Sequence, residues 1–546
     1  MDIKIGHNSN SERDYNNSSI FDVHTWSDYK EVNSFVDVIY SKYFKHSVGN
    51  IRIEKKHLKV VLLDLYVAWL TDEKLNIAIN MTRDFYSNNF GAVTSRYNEL
   101  HISAKTIDVI NVLRSVGMSD DEKDYAKEIG FYDQGLIGFK KGIEAQEGFD
   151  SGFVSRIWAT PKLIKMFEES AFSQFMIHSH RDREVLVMKD EDKNLIDYVA
   201  DDKNKEMAFV VRQYNELLER TFIDIGEANS PTLTIKKSSG SKNPDKPHYV
   251  HITHNGKFTH RVFNDSSWQK SGRWFGGFWQ RINSDLREKI LINDEDTVEL
   301  DFSSLHVILA YANEGIDYWK DHDVDPYSIP VEGIENHKAS REAIKKLLLL
   351  GLNAPNDEVL FPAFRQEFDY SHLGGKAFKF ENSVLSKMLD SIKARHPQIA
   401  HQLGKDVGKT LMNLDGQIVD FVIKRFLDSN TPILSVHDSF IVPWSQRDKL
   451  ASAMQDAFAS VTDNKDIVYK QSLPIYQDAV AWRHRDRDFY LDKMSELKTT
   501  KRSRGYLNRL NKHNMFFNPK PNTVQYIPEE IVDPKNYRKY KDRHNR

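Results

Sequence analysis

The 546-residue chain contains no cysteine. That excludes disulfides, thiolate zinc sites and a cysteine nucleophile, and it suits a reducing, cytoplasmic setting. Long apolar runs are missing as well. No stretch approaches the roughly 18 consecutive apolar residues of a membrane span, and the polar start of the chain lacks the apolar centre of a signal peptide. A soluble protein with no membrane partner is expected. No sign of charge dominates either: 76 Lys and Arg stand against 79 Asp and Glu, a net of −3. A chain so balanced is no polycation, and affinity for nucleic acid would have to come from local patches. No Walker-type glycine loop and no internal repeat is visible. The length is enough for several domains and a substantial core.

What is present gathers around two acid-bearing stretches. Residues 433–442 read Ile-Leu-Ser-Val-His-Asp-Ser-Phe-Ile-Val, an apolar run of strand length broken at its centre by His437, Asp438 and Ser439. A carboxylate inside a buried strand is costly unless a cation or donor meets it. The alternative is that His-Asp-Ser caps a tight hairpin between two short strands. Residues 297–302 form a second strand pattern ending in an acid, Asp301, after which Leu305, Ile308 and Leu309 follow helical spacing. Between the two stretches lies Arg341-x-x-x-Lys345. In a helix, Arg341, Lys345, Leu349 and Asn353 fall four apart along one stripe. Two strand-borne acids and a helix with two cations are what phosphoryl transfer from a nucleoside triphosphate needs: carboxylates for two Mg²⁺ ions and a basic clamp for the phosphates.

These stretches, in this order, resemble the palm shared by family A DNA polymerases and the single-subunit phage and mitochondrial RNA polymerases. Leu300-Asp301-Phe302-Ser303 resembles their motif A, Arg341-x-x-x-Lys345 motif B, and Val436-His437-Asp438-Ser439 motif C; the likeness covers roughly residues 250–480. It implies an α+β right hand of palm, fingers and thumb. Asp301 and Asp438 would hold two Mg²⁺ ions, for which Mn²⁺ can substitute. Arg341 and Lys345 would grip the triphosphate, with Lys345 donating to the leaving group. Asn353 would face the nascent base pair, His306 its sugar, and His437 the primer end. Ser271-Gly272-Arg273 resembles the Gly-Arg element upstream of motif A, where the Arg holds primer or template. The departures concern sugar choice: His306 stands where the DNA polymerases have Glu, Asn353-Ala354 where both families carry Tyr-Gly, and Ser439 matches the RNA polymerases. The implied function is a template-directed polymerase, leaning slightly to DNA, with nucleoside triphosphates and a primer–template or promoter duplex as partners. A single-subunit RNA polymerase or primase is one alternative. A DNA-binding replication or regulatory protein with an inactive palm is the other.

The rest of the chain divides by composition. Residues 1–20, rich in Asn, Ser and Asp, are expected to be a disordered tail. Residues 21–170 are expected to form a mainly helical region. In it, 58–70 is a core helix, and a helix at 103–117 is followed by two strands at 135–142 and 155–161 in the manner of a winged helix. That reading puts Lys105 and Arg114 on or near a recognition helix and Lys140, Lys141 and Arg156 beside a wing, all as DNA contacts; an ordinary α+β element with solvated lysines is the alternative. Residues 171–248 read as a helical thumb-like or linker segment, closed by a breaker-rich basic loop at 236–247. Palm and fingers are expected over 249–490. The basic tail, 491–546, carries Arg502, Arg504, Arg509 and Lys512 among aromatics, which suits either a nucleic-acid arm or a solvated, partly disordered end.

Overall fold

The computed structural model describes residues 13–44, 50–88, 95–143, 152–235, 247–322, 324–374, 378–464, 467–472, 480–483 and 500–518. Residues 236–246 of the basic loop expected at 236–247, residues 144–151 between the strands at 137–140 and 155–159, and most of the basic tail lie outside these residues. The architecture is mixed α+β.

The N-terminal lobe is built on the helix Ile51–Thr71. Asn50 caps it, its side chain accepting from the Arg52 and Ile53 amides. From Leu58 on the helix is buried nearly all round and correspondingly central, with Leu58, Val61, Leu62 and Leu65 fully buried. Five strands lie against it in the order Ser18–Ile20, Asn76–Ile79, Ser155–Ala159, Ile137–Lys140 and Phe131–Tyr132. The first of these corrects the expected disordered tail: residues 13–20 are ordered, and Ser18–Ile20 pairs in parallel with Asn76–Ile79. The helix Lys105–Ser115 buries Ile107, Ile110 and Leu113, and Gly117 ends it in the left-handed region that its missing Cβ allows. A second helix, Asp120–Ile129, follows with a complete Ser119–Glu122 capping box.

The larger lobe is organised by the strand Glu295–Phe302. On one side it pairs antiparallel with Ser439–Pro443; on the other it pairs with Ile290–Ile292 and then Val468–Ser472. Val298 and Leu300 are fully buried on one face of this strand, while Thr297, Glu299 and Asp301 alternate onto the other. The single strand expected over 433–442 is instead a hairpin: Leu434–Val436 turns through His437 and Asp438 into Ser439–Pro443. The helical linker expected over 171–248 is also corrected. Its one long helix is Asp202–Arg220; Leu186–Met188 pairs with Thr259–Asn264, and Ile223–Ile225 with Ile290–Ile292. The charged, helix-like pattern of this segment hides three strands, Leu186–Met188, Ile223–Ile225 and Thr232–Ile235, which it gives to the larger lobe and whose core it shares.

The basic tail is corrected where it is described. Residues 504–517 form a helix that joins the lobes: Tyr506 packs on Phe222 and Leu291 of the larger lobe, and Phe516 enters the N-terminal core. Arg502 is bound to Asp294 and Asp296, and Arg509 grips Asp224 at 2.6 and 3.0 Å. These two cations are spent inside the fold rather than offered to nucleic acid.

Candidate active site

Strand register brings the two predicted acids together. Asp301 lies opposite Ser439 in the antiparallel ladder, so Asp438 stands at the turn beside it. The Phe302 amide donates to the Asp438 carbonyl at 3.3 Å and closes the corner. The turn is two residues long, and His437 takes a φ of +55°. Such a turn favours Gly, and a non-Gly residue there carries strain of about 1–3 kcal/mol. Beyond Asp301 the chain bends through Ser304, also left-handed, straight into the helix Leu305–Asn313. Both acids are half-buried. Burial, then the nearby Asp415, pushes the Asp438 carboxyl above the usual range.

Arg273 and His306 meet at this corner, joined by Asp415, an acid given no role by sequence. Asp415 lies on the helix Gly408–Leu427, which touches the Arg273 strand through glycine: a Cβ on Gly416 would lie 2.6 Å from the Gly272 carbonyl oxygen. That close approach sets Asp415 beside Arg273, whose Nε donates to Oδ2 at 2.6 Å. The other arm of Arg273 donates to His306 Nε2 at 2.5 Å, and His306 Nε2 lies 3.8 Å from Asp415 Oδ2. Asp415 is fully buried, and its Oδ1 has no hydrogen-bond partner among the described residues. Burial alone would raise its pKa, but His306 and Arg273 outweigh that and hold the carboxyl below its ordinary value. His437 is exposed and stands edge-on to Phe275 at 6.1 Å; partial desolvation of its ring, followed by Arg273, lowers its pKa. A signal for Asp415 was present: it falls four residues after Leu411 and four before Val419, on the helix's apolar stripe.

The cationic helix is His337–Asn353, capped by Asn336. Arg341 faces inward, but its charge is taken up by Asp325 at 2.5 Å and Glu342 at 2.9 Å, and it lies over the Tyr327 ring. Tyr327 is buried between this helix and the corner, within the electrostatic reach of both Arg341 and Asp438. Lys345, one turn on, is half-buried and has no hydrogen-bond or ion-pair partner among the described residues. Asn353 ends the helix with its amide donating to the Leu349 carbonyl at 2.7 Å, packed on Gly408.

Lys105 and Lys140 are not brought to this corner; both belong to the N-terminal lobe. Lys105 is exposed and paired with Asp108 at 3.4 Å, and Lys140 lies 5.9 Å from the Phe131 ring centroid. Their expected neighbours are otherwise engaged. Arg114 stacks over Tyr132 and Phe139, and Arg156 is buried, donating to the Tyr15 and Val154 carbonyls. Of the helix pair, it is Asp120–Ile129 that follows the turn, and it carries Asp120, Asp121, Glu122, Asp124 and Glu128 against Lys123 and Lys127. That surface repels phosphate.

No protein-family model matches the chain, and no curated protein matches it. Among the described residues no helix is long and apolar enough to cross a membrane. Asp301 and Asp438 are two hard oxygen donors on adjoining strand ends, a donor set that suits Mg²⁺. Asp438 has no ion-pair partner within contact distance among the described residues, so a cation placed there would meet a half-buried carboxylate.

Proposed function

We propose that the chain is a template-directed nucleic-acid polymerase, a nucleotidyltransferase of right-hand architecture with a slight lean to DNA synthesis. The observation that carries this reading is the strand register that sets Asp301 and Asp438 side by side. Their likeness to motifs A and C supports it, with the cationic helix between them in sequence. Glu295–Phe302 and the 434–443 hairpin would form the palm floor, and His337–Asn353 the fingers helix. The N-terminal lobe supports a winged-helix reading, since three of its strands run in the order 76–79, 155–159, 137–140 around a helix pair. Its acidic second helix speaks against base reading through that element.

Asp301 and Asp438 would hold Mg²⁺. When bound, the metal would lower the pKa of the primer 3′-hydroxyl and neutralise charge on the triphosphate. Lys345 would place its Nζ on the triphosphate and donate a proton to the departing pyrophosphate oxygen. Arg341, held by Asp325, would reach the phosphates only by exchanging that carboxylate for them. Arg273, fixed by Asp415, would present its remaining N–H groups to the nucleic acid, and His306 would stand beside the incoming sugar. Nucleotide choice would come from pairing with the template rather than from any protein side chain.

Single-nucleotide incorporation tests this directly. On four primer–templates that differ only at the first unpaired base, the complementary nucleotide alone should be added, and only with Mg²⁺ or Mn²⁺. Addition that ignores the template base would leave a transferase without template direction. No addition, with duplex binding intact, would favour a DNA-binding replication or regulatory protein.

A further inference from the structure

Beneath the acid pair lies a second carboxylate that the proposed chemistry does not use. Glu299 is buried in the same strand, two residues before Asp301 and on the same face. Arg287 holds it at two points, Nε donating to Oε2 at 3.0 Å and Nη2 to Oε1 at 3.1 Å. The third nitrogen of Arg287 donates to the Ile282 carbonyl at 3.3 Å. Glu299 Oε1 also accepts from the Ser439 hydroxyl at 2.6 Å, a short, charge-assisted bond between buried groups. Ser439 immediately follows Asp438 and lies opposite Asp301. The strand that carries one acid thus holds, through a second carboxylate, the residue next to the other acid.

We propose that Glu299 is a positioning residue for the metal-binding pair. Anchored by Arg287 and acting through Ser439, it fixes the strained His437–Asp438 turn so that Asp438 stands beside Asp301. The geometry explains why a short turn with a non-Gly residue at positive φ keeps one register: the hydroxyl after the turn is tied to an ion pair of the neighbouring strand. Without that tie, the turn is free to relax, and the separation of the two carboxylates is no longer set. The inference deepens the polymerase reading and rests on it for its consequence, metal binding; the placement of the turn is separate.

The test uses the full chain and three variants. Ser439→Ala removes the tie together with the hydroxyl's 3.1 Å bond to the Val436 carbonyl, and Ser439→Thr keeps a hydroxyl. Glu299→Gln leaves the Val436 bond in place and should speed Phe302 exchange as Ser439→Ala does; an exchange equal to wild type overturns the role of Glu299. Hydrogen exchange at the Phe302 amide, which is bonded to the Asp438 carbonyl, reads the placement. Mn²⁺ binding, followed by electron paramagnetic resonance without nucleotide, reads the consequence. Ser439→Ala should speed Phe302 exchange and weaken Mn²⁺ binding by about tenfold each, and Ser439→Thr should restore both. Phe302 exchange equal in wild type and Ser439→Ala overturns the proposal. So does Mn²⁺ binding unchanged in Ser439→Ala but lost in Asp438→Ala. If Asp438→Ala leaves Mn²⁺ binding untouched, the polymerase reading fails, and Phe302 exchange still decides whether Glu299 places the turn.

Discussion

At the scale of single residues, the buried acids of the two lobes fare differently: Arg273 and His306 hold Asp415 below its ordinary value, whereas Asp64 is pushed the other way. Asp64 lies inside the central helix of the N-terminal lobe, where burial, reinforced by Asp22, raises its pKa well above the usual carboxylate value. Its Oδ2 accepts from the Asp22 amide at 3.1 Å. A carboxyl raised in the folded state contributes stability below its unfolded value, and that contribution is lost as pH rises through the folded value. Asp64→Asn keeps the shape and the acceptor without the charge. At pH 8 it should therefore be more stable than the wild type by about 1–3 kcal/mol, the gap closing towards pH 4 in denaturant titrations. A variant less stable at pH 8 would show that Asp64 is ionised and paired. The acid was visible in the stretch 58–70, where Lys59 is the one other charged residue among apolar ones. So was Asp415 on its apolar stripe, but sequence spacing does not say which cation will meet a buried acid. That partner, Arg273, is 142 residues away.

At the scale of elements, the helices were the most legible parts, because apolar spacing and Gly117 mark them locally, although the mostly polar first two turns of Ile51–Thr71 kept its start out of the expected 58–70. The strand-to-helix corner at Asp301 was legible for the same reason. The hairpin at 434–443 was not read as the first choice, because its turn lacks the Gly or Asn that advertises positive φ, and apolar residues run up to it from both sides. Tertiary bonds to Glu299 and Phe302 hold that turn where propensity alone would not. The cationic helix was found correctly, but the state of its two cations was hidden. Arg341 is committed to Asp325 and Glu342, whereas Lys345 has no hydrogen-bond or ion-pair partner among the described residues. Lys345→Ala should then change stability by no more than about 0.5 kcal/mol while lowering the rate of nucleotide addition by about 100-fold or more. Stopped-flow addition and thermal melting on the same samples separate the two effects. An equal loss of stability and rate would place Lys345 in the fold instead of at the phosphates.

At the scale of the whole molecule, two cores are joined by a helix that composition alone assigned to a basic tail. A run of Arg and Lys reads as solvated or as a nucleic-acid arm because its partners are far off in sequence: Arg509 and Asp224 are 285 residues apart. Asp224 is buried, and removing Arg509 leaves its charge uncompensated. Arg509→Ala should lower stability by about 3–5 kcal/mol, and Asp224→Asn in the same chain should recover part of that loss. An Arg509→Ala protein of unchanged stability but weakened duplex binding would return this cation to nucleic acid. The organisation of both lobes leads back to one corner, where strand register sets Asp301 against Asp438. Extension of a labelled primer on a DNA template with Mg²⁺, with deoxynucleotides or ribonucleotides, by wild type and by Asp438→Asn, probes that corner most directly. Template-dependent product with one sugar, reduced at least about 1,000-fold in Asp438→Asn, is the expected result. Product formed equally well by Asp438→Asn, or none from the wild type with either sugar, would contradict it.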